Sequence, residues 1–138
     1  IPHLLISHEA SDDPDERREV KNLSSHREIP LVGVALAAAK RHPQGFPRYR
    51  NGSSYSSAIN KYLRKHELLP KGVTVGGTRH SWESRMKRAG YQTDDRGELM
   101  GHSLKGRRGR ETYGDGLSLS DRLLVAEEVM FAVPNHLK

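Results

Sequence analysis

The chain has 138 residues, with 23 lysines and arginines against 17 acidic residues and no cysteine. This length fits one domain with a real hydrophobic core, and the lack of cysteine excludes disulfides and thiolate metal sites. No apolar run approaches the length of a membrane span and no signal peptide is recognisable, so the sequence predicts a cytoplasmic protein without membrane association. Because the first residue is Ile1 and not methionine, we expect a fragment of a longer protein.

The net charge of +6 is unevenly distributed along the chain. Residues 40–71 carry eight lysines or arginines against one acid, and residues 79–110 carry nine against four. The first twenty residues are acidic instead, with six carboxylates against two arginines. This distribution predicts basic faces that contact a polyanion, the alternative being an ordinary solvated surface.

The first part of the chain has the pattern of a β-hairpin with an irregular tip. Ile1–Ser7 is a short apolar run typical of a strand. The acidic stretch 9–19 predicts an exposed connection, and Arg27–Leu31 predicts the returning strand, stopped by Pro30. Lys21 lies just before that returning strand.

The next segments predict two helices of different character. Val32–Arg41 is almost entirely apolar and rich in alanine, which predicts a buried helix that ends before His42-Pro43. A loop follows, with a turn at Asn51-Gly52. Ser54–His66 has apolar residues at helical spacing and predicts an amphipathic helix capped by Ser53 or Ser54, its apolar positions being Tyr55, Ile59, Tyr62 and Leu63.

Three further helices are predicted after a second loop, residues 68–77. Thr78 is expected to cap the first of them, which ends at Gly90 and has Trp82, Met86 and Ala89 on its inner face and Arg79 at the rim of that face. The second runs from Thr93 to Met100 and ends at Gly101. The third begins at a capping box, Ser118–Asp121, and has the apolar stripe Leu119, Leu123, Ala126 and Met130. The predicted fold class is mainly α with a small β-hairpin (α+β).

Three residues of this helical region have side chains suited to phosphate chemistry. Arg79 lies at a predicted helix start, where unpaired N–H groups favour anions. His102 follows the glycine that ends a helix, and Tyr113 follows a basic loop; a histidine supplies a proton or hydrogen bond and a tyrosine a nucleophilic oxygen. Taken singly, each has a plainer interpretation: a surface arginine, a helix cap and a rim tyrosine.

Taken together, the three motifs resemble the C-terminal signature of the tyrosine recombinases, the phage-integrase family. The motifs are Arg79-His80-Ser81, then Leu99-Met100-Gly101-His102-Ser103, then Tyr113, in matching order and spacing. The resemblance implies a tyrosine-recombinase-like catalytic domain whose C-terminal portion is residues 1–138. Its parts would be a β-hairpin (1–31), a helical core with the site motifs (32–116) and a C-terminal helix (117–138).

The resemblance also implies a function, site-specific DNA recombination or integration. Tyr113 would attack a DNA phosphodiester, form a 3′-phosphotyrosine and release a 5′-hydroxyl. Arg79 would hold the non-bridging oxygens, His102 would hydrogen-bond the scissile phosphate, and Lys21 would protonate the leaving 5′-oxygen. No cofactor and no metal are implied; the implied partners are double-stranded DNA and further copies of the chain, as a tetramer on DNA.

Two positions depart from the family pattern. Gly76 stands where the family has a histidine three residues before the arginine, and the family's first arginine precedes the hairpin. We therefore expect this chain alone to have little or no cleavage activity. The alternative function is a DNA-binding module without chemistry, or a decayed prophage integrase. A metal hydrolase built on the eight histidines is a third option, but no pair shows ligand spacing with a nearby carboxylate.

Overall fold

A computed structural model describes residues 1–7, 25–49, 54–102 and 116–137. Over these residues the chain forms five α-helices and one two-stranded antiparallel sheet, which confirms the predicted α+β class. Four sequence predictions fall outside the described residues: Lys21, the tip of the hairpin, the turn at Asn51-Gly52, and Tyr113.

The sheet joins the two predicted strands. Strand β1 (His3–Ile6) pairs with β2 (Arg27–Pro30) so that His3 lies opposite Pro30 and Ile6 opposite Arg27. Helix α5 (Leu119–Val129) packs against β2. The strand prediction is confirmed, and β2 brings Arg27 towards the helices.

The first two helices form as predicted but contribute little to the core. Helix α1 (Gly33–Arg41) contains no buried residue, so the prediction of a buried helix was wrong. Alanine favours helix formation through its backbone propensity but offers little side-chain area for packing, so an alanine-rich segment predicts a helix without predicting its burial. Helix α2 (Ser54–Lys65) also has no buried residue, and its Tyr55 and Tyr62 are about half exposed.

Helix α3 (Gly77–Arg88) begins one residue before the predicted cap. Thr78 is inside the helix, and its hydroxyl donates to the Val75 carbonyl oxygen at 2.7 Å, so its predicted role as N-cap was wrong. The inner face contains Trp82 and the fully buried Met86, whereas Ala89 is exposed, contrary to prediction. Gly90 follows the helix at φ 93°, as expected for a residue that ends one.

The core lies where α3, helix α4 (Thr93–Met100) and α5 meet. Its buried cluster consists of Met86, Leu99, Met100, Val125 and Val129, with Trp82, Tyr91 and Leu117 packed against it. Both the bounds of α4 and the capping box of α5 are as predicted.

The apolar stripe predicted for α5 was displaced from the true one. The buried residues are Val125, Ala126 and Val129, and Met130 is about half exposed. The inward position one turn before Val125 and Ala126 belongs to Arg122, which bonds to Glu98 of α4 and to the Glu28 carbonyl of β2. These polar bonds set the rotation of the helix, and apolar spacing alone does not reveal them.

Among the residues that the structure describes, no helix is long and apolar enough to cross a membrane.

Candidate anion-binding site at the end of α4

The last turn of α4 holds the backbone of His102 by hydrogen bonds. Gly101 has φ 65°, the left-handed conformation that glycine adopts most readily. The amide of Gly101 donates to the Glu98 carbonyl at 3.0 Å and that of His102 to the Gly97 carbonyl at 2.8 Å, the two bonds of a Schellman motif. The backbone of His102 is therefore bound to a helix whose inner face is buried, while its side chain is exposed.

Arg79 reaches the same turn from α3. Its Nη2 donates to the carbonyl oxygen of Met100, two residues before His102. A helix leaves its last four carbonyls without partners in the helix, so this bond gives Arg79 a structural role as a cap. Only one of the five N–H groups of the guanidinium makes this bond, and within the described parts of the chain no carboxylate lies within 4.0 Å of Arg79.

Arg27 is a third member of this group, and the sequence did not single it out. Its Nε donates to the Leu99 carbonyl at 3.1 Å and its Nη1 to the Ser25 carbonyl at 2.8 Å. The two guanidinium groups of Arg27 and Arg79 thus bind consecutive carbonyls, those of Leu99 and Met100. Burial lowers the pKa of Arg27, and the positive charges of Arg79 and Arg122 lower it further.

Arg122 differs from these two arginines because it has an acidic partner. Its Nη2 pairs with Glu98 Oε1 at 2.6 Å, and its Nε donates to the Leu117 carbonyl at 2.9 Å. Glu98 Oε2 in turn accepts from the Leu117 amide at 3.2 Å. His102 and Leu117 lie on either side of segment 103–115. His102 is bound to Gly97 and Leu117 to Glu98, which are neighbouring residues of α4.

The structure describes two of the four predicted site residues. Arg79 binds the Met100 carbonyl, two residues before His102, whereas Lys21 and Tyr113 lie outside the described residues. Gly76 directly precedes α3 and provides no side-chain cap. The ranges that the structure describes contain no group of three or more potential metal ligands. Two guanidinium groups thus bind the last turn of α4, and an exposed imidazole follows it. Both are side-chain types that bind anions such as phosphate.

Arg27 could have been found only through a long-range contact. It lies 72 residues from Leu99 in the sequence, and the strand segment REIPL around it gives no sign that its side chain reaches a helix.

Searches against family models, curated proteins and solved structures found no match for this chain.

Proposed function

We propose that this chain is the C-terminal part of the catalytic domain of a phage-type integrase, a tyrosine recombinase that cuts and rejoins DNA through a 3′-phosphotyrosine. The observation that carries the proposal is the hydrogen bond from Arg79 to the Met100 carbonyl, which lies 21 positions away in the sequence and two residues before His102. A shared phosphate site requires the two motifs to come to the same helix end. This bond supports that requirement, because it brings the guanidinium of the first motif to the turn that carries the second.

Tyr113 is the proposed nucleophile. Its phenolic oxygen forms a bond to phosphorus as the bond to the 5′-oxygen breaks. The phenol releases its proton to solvent, and the leaving oxygen gains one, in our proposal from Lys21. Arg79 stabilises the negative charge that grows on the non-bridging oxygens, and His102 donates a hydrogen bond to one of them. The reverse attack by a 5′-hydroxyl rejoins strands without a metal or a nucleotide cofactor.

Chain connectivity supports a role for Tyr113 at this site. It lies four positions before Leu117, which is bound to Glu98. A segment of four residues spans at most roughly 14 Å. Because Leu117 is bound to a residue in the last turn of α4, a site at the end of that helix is within reach of this phenol.

Covalent capture of DNA tests the proposal. The full-length protein is incubated with nicked duplexes of randomised sequence, and protein–DNA adducts are separated under denaturing conditions. Adducts are expected for the wild type, none for Tyr113→Phe, and wild-type amounts for the matched control Tyr62→Phe, because Tyr62 lies on α2, which contributes nothing to the site. Equal amounts for all three proteins would contradict the proposal.

The second candidate is a DNA-binding module without chemistry, such as a decayed integrase. Gly76 favours it, because the imidazole that the family pattern places there is missing. This candidate predicts DNA binding that falls steeply with salt but no adducts from any variant. Binding that does not respond to salt would count against both candidates.

A further inference from the structure

The side chain of Arg27 is held from two sides where it meets α4. Its Nη1 binds the Ser25 carbonyl just before β2, and its Nε binds the Leu99 carbonyl in the last turn of α4. The planar guanidinium therefore spans two backbone segments, and a single-point cation such as an ammonium group lacks the fork of donors needed for this.

Gly101 makes room for this guanidinium. A Cβ atom added to Gly101 would lie 2.7 Å from Cζ of Arg27 and 3.2 Å from its Nε, so a side chain at this position cannot coexist with Arg27 in its present place. Gly101 thus meets two separate requirements, the left-handed backbone and the contact with Arg27.

We infer that Arg27 is a positioning residue of the anion site, which holds the Gly101 turn and thereby the imidazole of His102 in place. The inference rests on the proposed function only in taking phosphate as the anion. Arg27 fixes the Leu99 carbonyl and fills the space beside Gly101, while Arg79 fixes the next carbonyl. Together they bind the two consecutive carbonyls that lead into the turn from Met100 to His102.

The same contacts change the electrostatics of the helix end. The C-terminus of a helix carries partial negative charge on its free carbonyls, which disfavours a phosphate nearby. Two of these carbonyls are bound by guanidinium groups, and the Schellman bonds occupy two more. An anion beside His102 therefore meets net positive charge at a point where an uncapped helix would repel it.

The test measures the imidazole of His102 by NMR while dimethyl phosphate, a diester monoanion, is added to the protein. His102→Gln identifies the resonances. In the wild type we expect the His102 signals to shift with saturation, and in Arg27→Gln we expect the apparent affinity to fall about tenfold, as when an outer partner that orients a binding group is lost. Arg64→Gln is the matched control, because Arg64 is an exposed arginine on α2, and should behave as the wild type.

Arg27→Lys separates position from charge and provides a second variant should Arg27→Gln fold poorly. It keeps the positive charge but not the fork that reaches both carbonyls. A positioning role predicts that Arg27→Lys loses affinity as Arg27→Gln does. Wild-type affinity in Arg27→Lys, or in Arg27→Gln, would overturn the inference.

A double-mutant cycle tests the contact between Arg27 and Gly101 without any ligand. Gly101→Ala should lower the melting temperature more in the wild type than in Arg27→Ala, because the steric conflict disappears with the guanidinium. The backbone cost of alanine at positive φ is common to both backgrounds and cancels. Equal shifts would overturn the inference. Failure of covalent capture by Tyr113, with both of these results as expected, would reject the recombinase proposal and leave the anion site.

Discussion

Gly76 is the residue at which this chain departs from the family pattern, and its surroundings do not require a glycine. Its φ of −61° is open to any L-residue. Among the described residues, a Cβ there would meet only the Thr74 hydroxyl oxygen within 4 Å, at 3.6 Å, an ordinary contact. A histidine should therefore be accommodated at the start of α3 without displacing Arg79.

Gly76→His should consequently raise the rate of covalent adduct formation by the full-length protein while leaving its melting temperature nearly unchanged. The reason is that an imidazole three residues before Arg79 lies on the same side of the helix start. Gly77→His is the matched control. A Cβ at Gly77 also finds room, at 3.8 Å from Val73 Cγ1, but points about 100° away around the helix. An equal gain from both variants would show that the effect is not local.

At the scale of single elements, the capping box of α5 offers a direct stability test. The Ser118 hydroxyl accepts from the Asp121 amide at 3.1 Å, and the Asp121 carboxylate accepts from the amide and hydroxyl of Ser118. Ser118→Ala should lower the free energy of unfolding by about 1 kcal/mol at neutral pH. Ser120→Ala, two residues further along the chain, should change the free energy of unfolding little. Chemical denaturation of the three proteins measures both effects.

The effect of Ser118→Ala should depend on pH because hydrogen bonds from Ser118 hold the pKa of Asp121 below its ordinary value of 3.8. A carboxyl group with a lowered pKa in the folded state stabilises the fold above its unfolded pKa, and this stabilisation is lost as the pH falls through the folded pKa. The difference between wild type and Ser118→Ala should therefore shrink below about pH 4. A difference that stays constant down to pH 2 would show that Asp121 makes no charged contribution.

Elements with a local signal could be predicted from the sequence. The end of α4 follows from Gly101, and the start of α5 follows from its capping box, because these signals act within a few residues. The resemblance predicts that Arg79 and His102 share one site, and the bond from Arg79 to the Met100 carbonyl is compatible with that prediction. The exposure of α1 and the rotation of α5 could not be predicted, since both depend on partners far away in the sequence. Arg27 was missed for the same reason.

In the whole molecule, as far as the structure describes it, the buried cluster beneath the site comes from helices α3, α4 and α5. Leu99 is 1 % exposed and belongs to α4, directly beneath the Gly101 turn. Leu99→Ala should reduce the free energy of unfolding by about 3 kcal/mol, from lost burial and the cavity left behind. Leu124→Ala, on the outer face of α5 and 64 % exposed, should cost far less. Similar losses in urea denaturation would mean that the core lies elsewhere.

The central claim is that Arg79 and His102 hold a phosphate that the phenol of Tyr113 attacks. The most direct measurement is mass spectrometry of peptides from adducts of the full-length protein with the randomised nicked duplexes, after nuclease digestion. We expect a nucleotide esterified to Tyr113 in the wild type, and a strong loss of this peptide in Arg79→Gln and in His102→Ala. An ester on another residue, or undiminished modification of Tyr113 in both variants, would contradict it.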